Sequence, residues 1–379
     1  MDKKVITKSC TLCPRACGAD REDGQKGRCH VDAQIRVARA ALHFWEEPCI
    51  SGSEDTSHIT EESMPSLCLT AGRAVCEKSP REGCTNGKRG SGAVFFSGCP
   101  LGCVFCQNRA ISRGEAGTVI SVERLADIFL ELQGQGAYNI NLVTAGHYAP
   151  QVCEALRLAK QNGLNLPVVW NSSGYETVET LRLLEGLVNV YLPDFKYLDP
   201  QLARRYSHAE DYPKAAKRAL FEMVRQQPTP RFNEAGMMTA GVLVRHLLLP
   251  GHVREAKQVV SYLWETYGNQ IYISLMNQYT PPGQSFHSEN AAVTGYIKDT
   301  ASLENVDYCR KKVTLERSAA WDISEIDPLL ARRVTKREYE RLLDYAAQLG
   351  VEQGFYQEGG TAAESFIPAF DGTGVVSRQ

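Results

Sequence analysis

The chain has 379 residues, 43% of them hydrophobic and 23% charged, with a formal net charge of −2. That size and balance suit a globular protein with a substantial core, one main domain carrying appended segments. They give no electrostatic case for nucleic acid or an anionic membrane, and no run of 18 apolar residues is present to span a bilayer.

The opening MDKKVITKSC lacks the apolar core of a signal peptide, so the abundant cysteines, 13 in all, point to metal binding in a reducing, cytoplasmic setting rather than to disulfides. Residues 1–52 are read as a cysteine-rich metal-binding segment. Within it, Cys10, Cys13, Cys17 and Cys29 stand at C-x2-C-x3-C-x11-C spacing. Four thiolates so placed suit a structural zinc site or a fully ligated iron–sulfur cluster, and spacing leaves both open. Gly24 and Gly27 permit the tight loops such a site needs.

Residues 53–88 form a polar insertion rich in Ser, Thr, Glu and Gly, which holds Cys68, Cys76 and Cys84 and follows Cys49. A flexible surface insertion and a further metal site are the competing readings.

The core is placed at 89–290. Ala93–Ser97 reads as a buried strand closed by Gly98, and Cys99, Cys103 and Cys106 fall on the loop leaving it, at C-x3-C-x2-C spacing. Three thiolates can hold three irons of a [4Fe–4S] cluster and leave the fourth open to a small molecule, and Val104 and Phe105 would then shield the cluster from water.

From there apolar runs alternate with amphipathic ones. Strands are expected at Val94–Ser97, Ile140–Thr144, Pro167–Asn171, Val188–Pro193, Gly241–Leu249 and Ile271–Leu275. Helices are expected at Val122–Gln133, Ala149–Asn162, Val178–Glu185, Pro213–Gln226 and Val253–Tyr267. This is the pattern of βα units around a parallel sheet, in which ligands gather at the C-terminal strand ends.

Those ends carry Thr144-Ala145-Gly146-His147, then Asn171-Ser172-Ser173-Gly174, then Asp194-Phe195-Lys196, then Arg245-His246-Leu247-Leu248-Leu249-Pro250-Gly251. Strand alternation puts Asp194 and Lys196 on one face, where a local ion pair and a charged ligand contact are both open. Residues 291–379 form a C-terminal extension. It contains an amphipathic helix, Lys336–Gln348, and a Gly-rich end, suited to capping the core or to bordering its ligand opening.

The cysteine triplet, with aromatic Phe105 before its last member, resembles the signature of the radical S-adenosylmethionine (SAM) enzymes. The resemblance implies an α/β fold built on a partial (β/α)6 barrel. It also implies a [4Fe–4S] cluster whose open iron is chelated by SAM, and an external reducing electron donor. One-electron cleavage of SAM would then give a 5′-deoxyadenosyl radical that abstracts hydrogen from a substrate.

From about Gly90 to Pro282 the chain resembles more closely a pyruvate formate-lyase activating-enzyme-like family. In its terms Gly146, Asn171, Ser173, Asp194, Lys196, Arg245 and Leu247 would contact SAM, and a glycyl-radical protein would be the substrate. The Ala145-Gly146-His147 element departs from the Gly-Gly-Glu wording common in that family. A small-molecule or peptide-modifying radical SAM enzyme is the alternative. An iron–sulfur electron-transfer protein and a zinc-binding module without SAM chemistry are the rivals outside that class.

Overall fold

The computed structural model describes residues 8–52, 89–282, 327–356, 368 and 370–376. The insertion with Cys68, Cys76 and Cys84, and also Cys309, lies outside the described residues.

In chain order the elements are β1 (Arg36–His43), α1 (Pro48–Ser51), β2 (Ser91–Phe96), α2 (Arg109–Ser112), β3 (Thr118–Val119), α3 (Val122–Gly134), β4 (Ile140–Val143), α4 (Ala149–Gln161), β5 (Val168–Ser172) and α5 (Val178–Leu183). They continue with β6 (Val190–Pro193), α6 (Pro200–Ser207), α7 (Tyr212–Gln226), β7 (Arg231–Phe232), β8 (Met238–Leu247), α8 (Val253–Tyr267), β9 (Tyr272–Met276), α9 (Lys336–Gln348) and β10 (Gly354–Tyr356).

Six strands, β2, β4, β5, β6, β8 and β9, pair in parallel in that order. They are the six expected from sequence, each within three residues at either end. Their Val, Ile, Leu and Phe runs are buried on both faces, as parallel strands covered by helices must be.

Alternation assigns the two faces. Val94, Phe96, Leu142, Val168, Trp170, Tyr191, Val242, Val244, Ile273 and Leu275 join the large core formed with the helices. The intervening Val169, Val190, Leu192 and Leu243 turn the other way and pack with Cys49 and Ile50 of α1. The hexapeptide Glu46–Ser51 therefore packs on the second face of the sheet, and Asn139 just before β4 fastens it by donating to the Ile50 carbonyl at 2.7 Å.

Four strands were not expected from sequence. β1 runs antiparallel to β2 and extends that edge, with β3 beyond it. β10 adds in parallel to β9 at the opposite edge, and β7 pairs with β8 alone. The C-terminal helix α9 opens with a full capping box, Thr335 with Glu338. It lies over β9 and α8: Tyr339 donates to the Leu275 carbonyl, and Tyr345 meets Ser261 at 2.6 Å. The described part of the extension thus packs on the β9 edge of the sheet.

Candidate functional site

Gly98 ends β2 with φ +96°, and a Cβ there would stand 2.8 Å from the Cys29 carbonyl and 3.0 Å from His147 Nε2. Only glycine fits so tight an exit, which aims the following loop across the strand ends. The loop is then gripped from two sides. Cys99 N–H donates to the Cys29 carbonyl at 3.2 Å, and Val104 N–H to the Tyr206 carbonyl of α6 at 2.9 Å.

The half-buried Cys99, Cys103 and Cys106 are electrostatic neighbours. Burial pushes the Cys99 thiol up to about 12, with Cys103 and Cys106 adding to the rise. Burial also raises Cys103, against the pull of Lys196. The Cys103 Sγ lies 2.9 Å from Ser207 Oγ, which in turn meets the Tyr197 hydroxyl at 3.0 Å.

Among the described residues no three His, Cys, Asp or Glu side chains gather closely enough to share a single metal ion. Three soft thiol donors that neighbour one another on one loop suit the ligation of an iron–sulfur cluster.

Beside this loop is a chain of charges. Asp194 and Arg245 face each other across an isolated parallel bridge. Asp194 accepts from Lys196 Nζ at 2.7 Å and from Arg245 Nε at 3.0 Å. Arg245 continues to Glu46 at 3.0 Å and to Asn171 Oδ1 at 2.7 Å, and Asn171 and Asn141 both donate to Glu46.

Burial opposes ionisation of Asp194, yet Lys196 and Arg245 outweigh it and hold the carboxyl below its ordinary value. Burial likewise opposes the Lys196 charge, but Asp194 and then Cys103 hold Lys196 above its usual range. Next to Glu46, burial raises Glu47, against the pull of Arg245, and its Oε2 has no hydrogen-bond partner. Phe105, Asp194, Lys196, Tyr197, Leu247 and Leu249 close around a void of ≈10 Å³, room for about one water. A ligand as large as SAM would need these side chains to part.

Cys99, Cys103, Cys106, Asn171, Asp194, Lys196, Arg245 and Leu247 are thus brought to one neighbourhood. Gly146 stands at the next strand end, opening a short 3₁₀ turn, where a Cβ would lie 3.5 Å from Glu176 Oε1. Ser173 enters through its backbone: the Tyr212 hydroxyl lies 2.9 Å from the Ser173 and Asp194 carbonyls and accepts from Lys196 N–H at 2.9 Å.

Neighbouring His147 is buried, with Nε2 2.7 Å from the Ser97 carbonyl, and burial lowers its pKa to about 3. It supports the cysteine loop from beneath as a neutral ring.

Glu46, Glu47, Tyr212 and Ser207 were not found by sequence reasoning. They lie on connectors or on helices remote in sequence, where no periodicity or spacing marks them. Glu46 meets Arg245, 199 residues away, only in the folded chain.

The amino-terminal cysteines form their own group. A Cβ on Gly27 would stand 3.3 Å from both Cys17 Sγ and Cys29 Sγ. Burial pushes Cys13 up to about 12, with Cys29, Cys10 and Cys17 all contributing. Cys49 is apart from them, packed inside the sheet, and Cys153 is buried with Sγ 3.2 Å from the Leu183 carbonyl.

Residues 93–260 match the radical SAM superfamily. The chain is 30% identical over 286 residues to an uncharacterized protein of Methanocaldococcus jannaschii, an alignment covering 73% of this chain and 68% of that protein. Among solved structures, SuiB of Streptococcus suis bound to S-adenosylmethionine aligns with 15% identity and a TM-score of 0.39, over 69% of this chain and 49% of SuiB. A radical SAM methyltransferase from Sphaerobacter thermophilus aligns with 14% identity and a TM-score of 0.42, over 72% of this chain and 69% of that one. The chain spans about half the length of SuiB. No described helix is long and apolar enough to cross a membrane. With the six parallel strands, the cysteine loop at the end of the first of them and the family match running from Ala93 into α8, the chain belongs to the radical SAM superfamily, whose cofactors are a [4Fe–4S] cluster and SAM.

Proposed function

We propose that this enzyme cleaves SAM reductively and abstracts hydrogen from a glycine of a protein substrate, in the manner of a glycyl-radical activating enzyme. Cys99, Cys103 and Cys106 would hold the cluster, and Asp194, Lys196, Arg245 and Leu247, with Asn171, Ser173 and Gly146 at the adjoining strand ends, would form the SAM site. The observation that carries this is the meeting of two sequence-remote elements: Phe105 of the cysteine loop shares one small void with Asp194, Lys196 and Leu247.

When bound, the cofactors supply a 5′-deoxyadenosyl radical, formed with methionine from SAM and one electron of an external low-potential donor. The chain's own residues bind and exclude water. Lys196 is held cationic and Asp194 anionic, so the pair can meet the carboxylate and ammonium groups of SAM with opposite charges. Arg245 fixes Asp194 from the far side and ties it to Glu46. Phe105, Leu247 and Leu249 keep water from the reacting centre.

The protein substrate is argued from the likeness of Asp194-x-Lys196 and Arg245-x4-Pro250-Gly251 to the activating enzymes. Anaerobically reconstituted protein with a chemical reductant should form 5′-deoxyadenosine, and Cys99→Ala/Cys103→Ala/Cys106→Ala should abolish it. Continued cleavage by the triple variant would overturn the cluster assignment. Deuterium carried from a glycine-labelled glycyl-radical protein into 5′-deoxyadenosine would support the activase reading. Transfer only from a small metabolite or a short peptide would replace it.

A further inference from the structure

Residues 8–33 lie outside the barrel and take no part in the proposed SAM site. Their apolar side chains are few: Cys10 and Leu12 form a small cluster of their own, and otherwise Cys29 and Val31 reach the main core. So short a segment needs a staple to hold one conformation. Its four cysteines are free thiols, so no disulfide supplies it.

We propose that Cys10, Cys13, Cys17 and Cys29 hold a second iron–sulfur cluster, fully ligated by the protein and seated against the loop that carries Cys99, Cys103 and Cys106. The four thiols form one group, with Gly27 leaving the space between Cys17 and Cys29 that any side chain would fill. A cluster, unlike redox-inert zinc, would carry electrons at this position beside the Cys99 loop.

A second observation is independent of the thiols. Arg21 is 1% exposed, and its partners among the described residues are carbonyls, the Tyr148 ring face and Cys10, with no carboxylate among them. It donates to the carbonyls of His147 and Asp32, leaves its Nε buried without a partner, and places Nη1 4.0 Å from Cys10 Sγ. Burying a guanidinium without a counter-charge is costly, and an anionic thiolate cluster provides one at the place Arg21 faces.

The two centres are joined by backbone. Cys99 N–H donates to the Cys29 carbonyl at 3.2 Å. Arg15, between Cys13 and Cys17, donates to the Pro100 carbonyl at 2.9 Å and the Ser207 carbonyl at 3.1 Å. The proposal rests on the radical SAM reading only for the identity of this neighbour.

The test uses the full chain reconstituted anaerobically with iron and sulfide, with iron, sulfide and zinc counted and the reduced protein examined by electron paramagnetic resonance. Wild type should hold about eight irons, and the Cys99/Cys103/Cys106 triple-Ala variant about four. Only one of two wild-type signals should shift on adding SAM, and the triple variant should keep the other. Arg21→Leu leaves all four cysteines in place but removes the positive charge beside Cys10 Sγ, and should lower the reduction potential of the signal that ignores SAM. About four irons in wild type, all lost in the triple variant, would overturn the second cluster, as would one zinc without sulfide in that variant. Should the triple variant not fold, the wild-type iron count and its two signals decide alone. Two clusters of which neither responds to SAM would instead count against the radical SAM reading and leave the second cluster standing.

Discussion

At the residue scale, the Asp194–Lys196 ion pair is the part of the proposed SAM site that one substitution tests most directly. Lys196 is 2.7 Å from Asp194 and close enough to Cys103 to perturb it. Charge-assisted hydrogen bonds contribute about 1.5–3 kcal/mol, so Lys196→Ala should weaken SAM binding about tenfold or more in an equilibrium titration and leave the cluster's absorption spectrum intact. Unchanged affinity would return the pair to a structural role. Glu176 offers a test of a different kind. Burial raises its carboxyl to about 7 from 4.5, partly offset by a hydrogen bond with Ser172. The folded chain therefore keeps a proton that the unfolded chain gives up, and stability falls as pH rises from about 4.5 and levels off above about 7. Glu176→Gln removes that loss, so the variant should gain on the order of 3 kcal/mol over wild type at pH 8 and little near pH 4.5 in denaturant titrations. A difference independent of pH would sink the assignment. The sequence made Asp194, Lys196 and Arg245 legible because short motifs at strand ends carry them. Glu46, Glu176 and Tyr212 were not legible, since burial and partners, not neighbours in sequence, give them their chemistry.

At the element scale, the six parallel strands and five of the helices between them were readable from β-branched runs alternating with amphipathic ones. α6 was missed although Asp199 caps it and Pro200 opens it, the usual signals of a helix start, because only eight residues follow. β1 was missed because its Ala-rich Arg36–His43 run has weak strand character and forms a strand through pairing with β2. The turn after β5 shows how one element positions another. Gly174 has φ +72°, and a Cβ there would stand 2.4 Å from the Asp194 carbonyl oxygen. Gly163 also has positive φ, +100°, with nothing within 4 Å of its added Cβ. Gly163→Ala should then cost only the conformational penalty, about 1–2 kcal/mol. Gly174→Ala should cost clearly more and also weaken SAM binding, because the backbone of Asp194 must shift. Equal losses from thermal denaturation of the two variants, with SAM affinity unchanged, would show that the contact between Gly174 and Asp194 positions nothing.

At the scale of the whole molecule, the barrel is braced from both ends of the chain. On one edge β1 pairs with β2, and Gly372 and Thr373 hydrogen-bond to Ala38 and Ala40 of β1. On the other, β10 extends β9 under α9. The cysteine-rich segment is held differently. Its bonds are mostly local turns, such as Cys10 N–H to the Ala19 carbonyl at 3.1 Å and Gly27 N–H to the Val31 carbonyl at 3.1 Å. Free energies of local opening follow buried apolar contact, which is plentiful around β4, β5 and β6 and sparse around residues 8–28. Where metal provides the missing cohesion, removing it is removing folding free energy from that segment. Anaerobic treatment of the intact protein with an iron chelator should therefore expose the amides of residues 10–29 to hydrogen exchange first. The cysteine loop at 98–106 should follow, because Cys29 and Arg15 hold it, while β4–β6 stay protected. The order is the informative part: simultaneous loss of protection across segment and barrel would mean that the amino-terminal cysteines contribute no separate metal-dependent unit.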